Sequence, residues 1–332
     1  MPRSVLTFWI LLAAATAVSA RDIYVNNVAG DDRNRGNAEK STVAGGGPCR
    51  TIARALRAAE RGDQIVLANT GVPYHESITL EGGRHSGYLT RPFVIRGNGA
   101  ILDGSWPVPH HAWEHFDKDV FRFRPHRTAY QQFFLDDKPM ERVAAAEGST
   151  KVPDLEPLTW CFVDRHIYFR PEKDKLPQHY KLTYAGWQTG ITLYKCERVV
   201  VENLIVQGFQ LDGINAHDGV FDSELLNVIA RGNGRSGVSI GGASRVKLST
   251  CVLGNNGAAQ LRTEGWSTTH VNQCELIDNT APGLVREAGR VTIDGEPLAP
   301  NLRIYPEPAS EADPEAEGVL QTGPEAEPQP SE

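Results

Sequence analysis

Beyond its first twenty residues the chain has no apolar run approaching the roughly 20 residues needed to cross a bilayer, which argues against membrane insertion by the rest of the molecule. Cysteine is scarce. The five residues at 49, 161, 196, 251 and 274 are odd in number and lack metal-site spacing. They organise neither a disulfide framework nor a metal centre, and at least one thiol is free or pairs with another chain. Net positive charge is also missing. The formal charge is -7, and the stretch 306–332 accounts for it, with six prolines, eight acidic residues and no Lys or Arg. With that stretch and Arg3 set aside the body is neutral. It offers no electrostatic footprint for nucleic acid and no basic cluster for anionic lipid.

The two ends differ from the body. Arg3, the apolar run from Val5 to Val18 and the small residues Val18-Ser19-Ala20 form the three parts of a secretory signal peptide over residues 1–20. Mature protein is expected to begin near Arg21 and to be secreted or periplasmic, with no Cys after the cleavage position to take a lipid. Residues 306–332 cannot bury enough apolar surface to order themselves and are expected to be a disordered, solvating acidic tail. The intervening residues 21–305 are long for an ordinary globular domain but natural for one solenoid, expected to act as a monomer.

A repeat supports the solenoid. Asn233, Asn256 and Asn279 recur every 23 residues, as do Cys251 and Cys274, while Asp212-Gly213-Ile214 precedes Ser236-Gly237-Val238 by 24. Self-similarity at one short period implies stacked coils. The strands are short, β-branched and punctuated by Gly and Asn, without helical stretches of ten or more residues, which selects a parallel β-helix. Asn tolerates the left-handed α region at a sharp bend and can bond to its counterpart one coil above, which predicts an asparagine ladder. Ile214, Val238, Leu261 and Leu284 then form an inward column. Stepping back by 23 from Cys251 reaches Val228 and Ile205. Cys251 and Cys274 stack about 4.8 Å apart, an offset that favours two buried thiols over an unstrained bridge.

The N-terminal part reads as a cap. Thr51 can start a helix whose Ile52, Ala55, Leu56 and Ala59 share a face and which Gly62 ends. Residues 105–190 break the period. They are rich in aromatics and His (Trp106, His110, His111, Trp113, His115) and carry hairpin signals at Leu135-Asp136-Asp137-Lys138-Pro139 and Val163-Asp164-Arg165-His166-Ile167. They read as a β-rich excursion that packs on the solenoid flank, with regular coils over 191–290. The fold class is therefore all-β: a right-handed parallel β-helix solenoid with an N-terminal capping helix and a β-rich excursion.

The stretch from Tyr24-Val25 through Gly30-Asp31-Asp32, Gly36, Pro48, Thr51-Ile52, Gly62-Asp63, Ile65-Val66-Leu67 and Tyr74-His75-Glu76, followed by Ile101-Leu102-Asp103-Gly104, resembles the opening of secreted bacterial β-helix proteins of the pectin-lyase-like kind. That group includes polysaccharide lyases and glycoside hydrolases. The resemblance implies a carbohydrate-active protein, a lyase or hydrolase acting on an extended acidic or sulfated polysaccharide. The alternatives are a non-catalytic glycan-binding or cell-envelope scaffold protein and a degenerate relative that has lost activity.

Candidate residues follow from the register. Asn215, Ser239 and Arg262 should share one outward column and His217, Gly241 and Glu264 the next, with Asp212 and Arg235 at the turn just upstream. Glycoside hydrolysis needs two carboxyl groups roughly 5 to 9.5 Å apart. Asp212 and Glu264 lie two coils apart, about 9.6 Å along the axis. β-Elimination instead needs a cation on a uronate carboxylate and a base for the adjacent proton, roles open to Arg235, Lys247 and Arg262 and to His217, with or without Ca²⁺. Asp212, His217, Arg235, Arg262 and Glu264 are thus the catalytic candidates, with Asn215 and Lys247 for substrate. Asp31 and Asp32, among Asn26, Asn27 and Asn34, are the candidate Ca²⁺ ligands. Asp212-Gly213-Ile214 and Gly237-Val238-Ser239-Ile240-Gly241 resemble two segments of polygalacturonases. That family's paired aspartates are replaced here by Arg235-Ser236 and its following His by Ala259-Gln260, so its mechanism does not carry over.

Overall fold

The computed structural model describes residues 20–42, 46–146 and 148–299. The expected signal peptide at 1–20, apart from Ala20, and the expected disordered tail at 306–332 lie outside the described residues. No helix among them is long and apolar enough to cross a membrane.

A short alternating strand cannot bury its apolar side alone, and here each does so by stacking on the strand one coil away. One parallel sheet runs through Asp22–Val25, Gln64–Leu67, Phe93–Asp103, Val199–Gln207, Ser223–Leu226, Arg245–Ser249, Thr268–Asn272 and Arg290–Ile293. A limb of Ile229–Arg231, Val252–Gly254 and Glu275–Leu276 extends it past a bend. A second, six-stranded sheet stacks Ile78–Glu81, Ile191–Tyr194, Asp212–His217, Ser236–Ile240, Ala259–Thr263 and Leu284–Arg286, all parallel. Both sheets send unbroken apolar columns inward. Ile78, Ile191, Ile214, Val238, Leu261 and Leu284 are in register on the six-stranded sheet. Ile23, Ile65, Ile95, Val201, Leu225, Leu248 and Val271 line up opposite, and all belong to one buried core.

Three details of the repeat differ from the sequence reading. The coil between Leu204 and Val228 has 24 residues, so Leu204, and not Ile205, stands inward below Val228. A slip of one residue reverses the face. The ladder asparagines are not the left-handed residues. The chain turns through positive φ at three other columns: Lys195, Asp218, Gly242 and Gly265; Asn203, Asn227, Thr250 and Gln273; and Gly208, Gly232 and Asn255, with φ between 51° and 78°. Asn233 and Asn256 instead point into the coil, where Asn233 Nδ2 donates to Asn256 Oδ1 at 3.0 Å. The second step is broken, because Gln260 intervenes between Asn256 (2.8 Å) and Asn279 (3.2 Å), while Asn279 pairs with Asn255. Asn227 donates to Asn203 at 2.7 Å, a second ladder at the turn.

The cap is a short helix, Ile52–Ala58, with Thr51 Oγ1 accepting from the Arg54 N–H. It ends at an extended Ala59, whose N–H closes on the Ala55 carbonyl, and Gly62 shapes the turn that follows and does not terminate the helix. Buried His85 ties the cap to the first coil: its Nδ1 accepts from the Glu81 N–H at 3.0 Å, and its Nε2 lies 3.0 Å from the Leu56 carbonyl. The first contact makes Nδ1 the acceptor, so Nε2 carries the hydrogen and the ring is neutral.

Between Asp103 and Ile191 the chain builds two four-stranded antiparallel sheets. Asp136-Asp137 and Asp164-Arg165 make two-residue hairpin turns with positive φ at both positions, as primed turns require. The excursion has its own core of Phe123, Phe133, Trp160, Phe169 and Tyr184, and Trp113 packs there, 4.8 Å from the Phe123 ring. Its segment around 127–139 lies along the turns that lead into the six-stranded sheet. Gln210 Nε2 donates to the Arg127 carbonyl at 3.1 Å, and Gly234 leaves room for Tyr130.

All five cysteines are free thiols. Burial pushes Cys161 and Cys196 up to about 11 and raises Cys49, and burial together with the neighbouring Cys274 thiol raises Cys251. A thiol titration of the native protein near neutral pH is expected to find at most Cys274 reactive, and all five after denaturation. Burial also holds His85 below the ordinary histidine value. Its contribution is therefore complete above that ordinary value and is lost as pH falls below it, when the unfolded chain gains the proton. The thermal midpoint is expected to drop more between about pH 7.5 and 5.5 for wild type than for His85→Gln.

Candidate functional site

The outer face of the six-stranded sheet gathers most of the candidates. Asn215, Ser239 and Arg262 occupy one column, above Thr192 and Thr79. His217 stacks on Tyr194 in the next, which continues through Gly241 and Glu264 to Glu287. Gly241 is needed there, since a Cβ would come within 2.5 Å of the His217 ring. That ring's Nε2 lies 3.0 Å from Ser239 Oγ.

Asp212 is not on the surface. It is 0% exposed and accepts from Arg235 Nε at 3.0 Å, Ser236 Oγ at 2.5 Å and Asn215 Nδ2 at 2.9 Å. The carboxylate in turn raises Arg235 above its ordinary value, with Glu264 and Tyr130 adding smaller contributions. Asp212, Arg235, Ser236 and Asn215 thus form a clamp joining two coils, with no carboxylate edge left for a substrate. Arg235-Ser236 supplies Asp212 with two of its partners.

Arg262 lies between two carboxylates. Its Nε donates to Glu264 Oε1 at 2.8 Å and its Nη2 to Glu287 Oε1. Glu264 and Glu287 occupy corresponding positions on successive rungs, about 4.8 Å apart along the axis. Glu287 was missed in the sequence reading, although it follows Glu264 by the period of 23. Tyr194, 41% exposed with Lys195 against its ring, is likewise 23 residues before His217.

Two candidate groups sit elsewhere. Lys247 belongs to the other sheet, where it pairs with Glu224 one rung below at 3.0 Å, because Arg245–Ser249 falls past the bend. Asp32 spends its oxygens on the Arg50 N–H, the Thr51 N–H and Thr51 Oγ1, each at 2.9 Å, and so braces the start of the capping helix. Asp31 is held well below the usual carboxylate range by the Arg33 guanidinium. Asn26 Oδ1 accepts from the Val28 and Ala29 N–H groups. These donors do not fit a Ca²⁺ site. Among the described residues no group of three or more His, Cys, Asp or Glu side chains is placed to hold a metal.

With the coil geometry in place, comparison with known proteins is informative. Residues 180–296 match the family model described as right handed beta helix region. The chain carries a right-handed parallel β-helix. No curated protein matches the sequence. Among solved structures this β-helix is similar to a glycoside hydrolase at 10% identity and a TM-score of 0.51, covering 77% of this chain and 74% of that one. It also matches the complex of XylC with xylose at 12% identity and TM-score 0.40, over 82% of this chain and 69% of that one. Pectate lyase Pel9A matches at 12% identity and TM-score 0.33, over 83% and 69%. At such identities the first likeness is one of fold.

The aromatics at 106–115 divide between packing and surface in this β-helix. Trp113 and Trp106 are both partly buried against the excursion's core, and Trp106 also stacks against His126 at 6.0 Å and meets Trp187 edge-on at 5.7 Å. His110 and His111 are exposed in a short 3-10 turn. Removing Asp212 would leave Arg235 partly buried without its counter-charge, so Asp212→Ala is expected to lower stability by about 3–5 kcal/mol in chemical denaturation. An unchanged denaturation midpoint would contradict the clamp.

Proposed function

We propose that this protein is carbohydrate-active and takes an extended polysaccharide along the outer face of the six-stranded sheet. The observation that carries this reading is the Glu264 and Glu287 pair on successive rungs, bridged by Arg262, with His217 two rungs from Glu264 in the same column. Rung spacing brings two carboxyl groups near the separation of about 5–5.5 Å that suits a nucleophile and an acid on one glycosidic bond. Hydrolysis then proceeds in two steps: one carboxyl group protonates the leaving oxygen while the other attacks the anomeric carbon to form a glycosyl ester, and water, deprotonated by the first carboxylate, then displaces the second and restores both groups. β-Elimination finds less support, because Arg235 and Arg262 are already neutralised by carboxylates and cannot also cancel a uronate charge at no cost.

Unpaired cations lie along the same face. Arg57 and Arg84 line a groove with Ser77, Thr79 and Glu81 at the first rung, and Lys195 stands at the second; none has an ion pair among the described residues. They favour an acidic or sulfated chain, anchored away from the point of cleavage. The fold likeness to a glycoside hydrolase supports the class and not the substrate. Export to the periplasm or beyond rests on residues 1–20 and suits a polymeric substrate.

One observation favours the second reading, a glycan-binding protein without turnover: Arg262 occupies both glutamates, so substrate must displace it before either acts. The two are separated by incubating the mature protein with uronic-acid, sulfated and neutral polysaccharides and reading new reducing ends and unsaturated-uronate absorbance. Reducing ends without absorbance are expected, with Glu264→Gln and Glu287→Gln each lowering kcat by about 10²–10⁴-fold at little change in stability. Retention on a polymer without new ends identifies the binding protein, and absorbance identifies elimination.

A further inference from the structure

The glutamate pair lies beside a groove. Immediately after Glu264 the chain turns at Gly265, φ +61°, and presents Trp266 with 91% of its surface exposed. No other described large apolar side chain on the face stands so far into solvent; Tyr194 is 41% exposed and Tyr130 47%. The Trp266 N–H is fixed to the Gly242 carbonyl at 2.8 Å, so the backbone that carries the ring is held by the rung below.

Trp266 forms one wall of an open groove of about 640 Å³, together with Gly265, Ser267, Thr268, Ala288, Gly289 and Arg290. The groove is kept open by backbone. Gly289 has φ +87°, and a Cβ there would come 2.4 Å from Ser267 Oγ. The Ser267 hydroxyl is buried and has no hydrogen-bond partner among the described residues. Arg290 has no ion pair among the described residues and is exposed at the rim. Both walls continue directly from the carboxylates: Glu264 precedes Gly265-Trp266, and Glu287 precedes Ala288-Gly289.

We propose that Trp266 is the stacking platform of a saccharide subsite, taking one pyranose ring of the polysaccharide next to the Glu264 and Glu287 pair. The inference rests on the function proposed above and names where the chain is gripped. A pyranose presents an apolar C–H face on one side and hydroxyls at its edge. The indole matches the first, and the Thr268 hydroxyl, the Arg290 guanidinium and backbone carbonyls at the turn match the second. A peptide or lipid partner would meet one aromatic side chain and otherwise hydroxyls, glycine backbone and a cation, a poor apolar surface for either.

The test uses full-length mature protein and defined hexasaccharides: β-1,4-linked glucose, xylose and mannose as neutral probes and α-1,4-galacturonate as an acidic one. Binding is read by calorimetry and by protection of tryptophan fluorescence from acrylamide. At least one probe should protect the exposed indole, and Trp266→Ala should weaken its binding about tenfold, while Trp187→Ala, the control at the other exposed tryptophan, leaves it unchanged. Loss of protection with Trp187→Ala alone, equal affinity in Trp266→Ala, or protection by no probe overturns the subsite. Concentration-dependent dimerisation abolished by Trp266→Ala also overturns it, since the indole then faces a second copy. The two proposals fail separately. Turnover that needs Glu264 and Glu287 but ignores Trp266 removes the subsite alone, and Trp266-dependent binding without turnover removes the catalytic reading alone.

Discussion

In a parallel β-helix each strand pairs with the strands one coil away, so every side chain is constrained by the residues at the same position on the neighbouring coils. Inward columns must be apolar without interruption, and the series from Ile78 to Leu284 and from Ile23 to Val271 satisfy this. The bends need backbone that tolerates positive φ at the same place in successive coils, which Gly, Asn and Asp supply at most positions of three corners, with Lys195, Thr250 and Gln273 at the others. The same stacking that closes the core sets like residues above one another outside. A catalytic or binding pair can therefore arise on successive rungs with no loop to position it.

The cost of this arrangement is paid where charge enters the stack. Asp212 is fully buried, and Arg235, Ser236 and Asn215 converge on its carboxylate so that no oxygen is left without a partner. The clamp lies at the mouth of the outer face, next to the excursion residue Tyr130, and its partners come from two coils and one turn. It fixes the edge of the face from which His217, Arg262 and Glu264 project. Arg262 has the opposite circumstance: its half-buried guanidinium is shared between Glu264 and Glu287, whose side chains are 27% and 48% exposed and within reach of a ligand. One ion pair serves the architecture and the other is open to chemistry.

The excursion adds what a bare solenoid lacks. Its aromatic core makes it self-supporting, and the contact of 127–139 with the turns at Gln210, Gly232 and Gly234 raises a wall on the entry side of the face. Tyr194, Lys195 and Trp266 project at the exit side, on the turn column led by Lys195. Between the walls lies a strip of Thr, Asn, Ser, His, Arg and Glu, polar along its length and suited to a long hydroxylated chain more than to a compact ligand.

The period of 23 to 24, the apolar alternation and the turn residues determined the coil, the inward column at Ile214, Val238, Leu261 and Leu284, and the outward neighbours Asn215, Ser239 and Arg262, because strand register follows from counting residues. Counting by the same period also reaches Glu287, so the carboxylate pair was legible there. Other features were decided by tertiary structure alone. Whether a coil has 23 or 24 residues exchanges Ile205 for Leu204 at the core. Whether Asp212 meets solvent depends on Arg235 and Ser236 folding over it from the next coil. Which sheet receives Lys247 depends on where the chain bends. Trp266 had no repeat partner to mark it, and only the groove beside it shows what it faces. Position along a rung is a property of spacing, whereas burial, charge pairing and the walls of a groove come from residues distant in sequence.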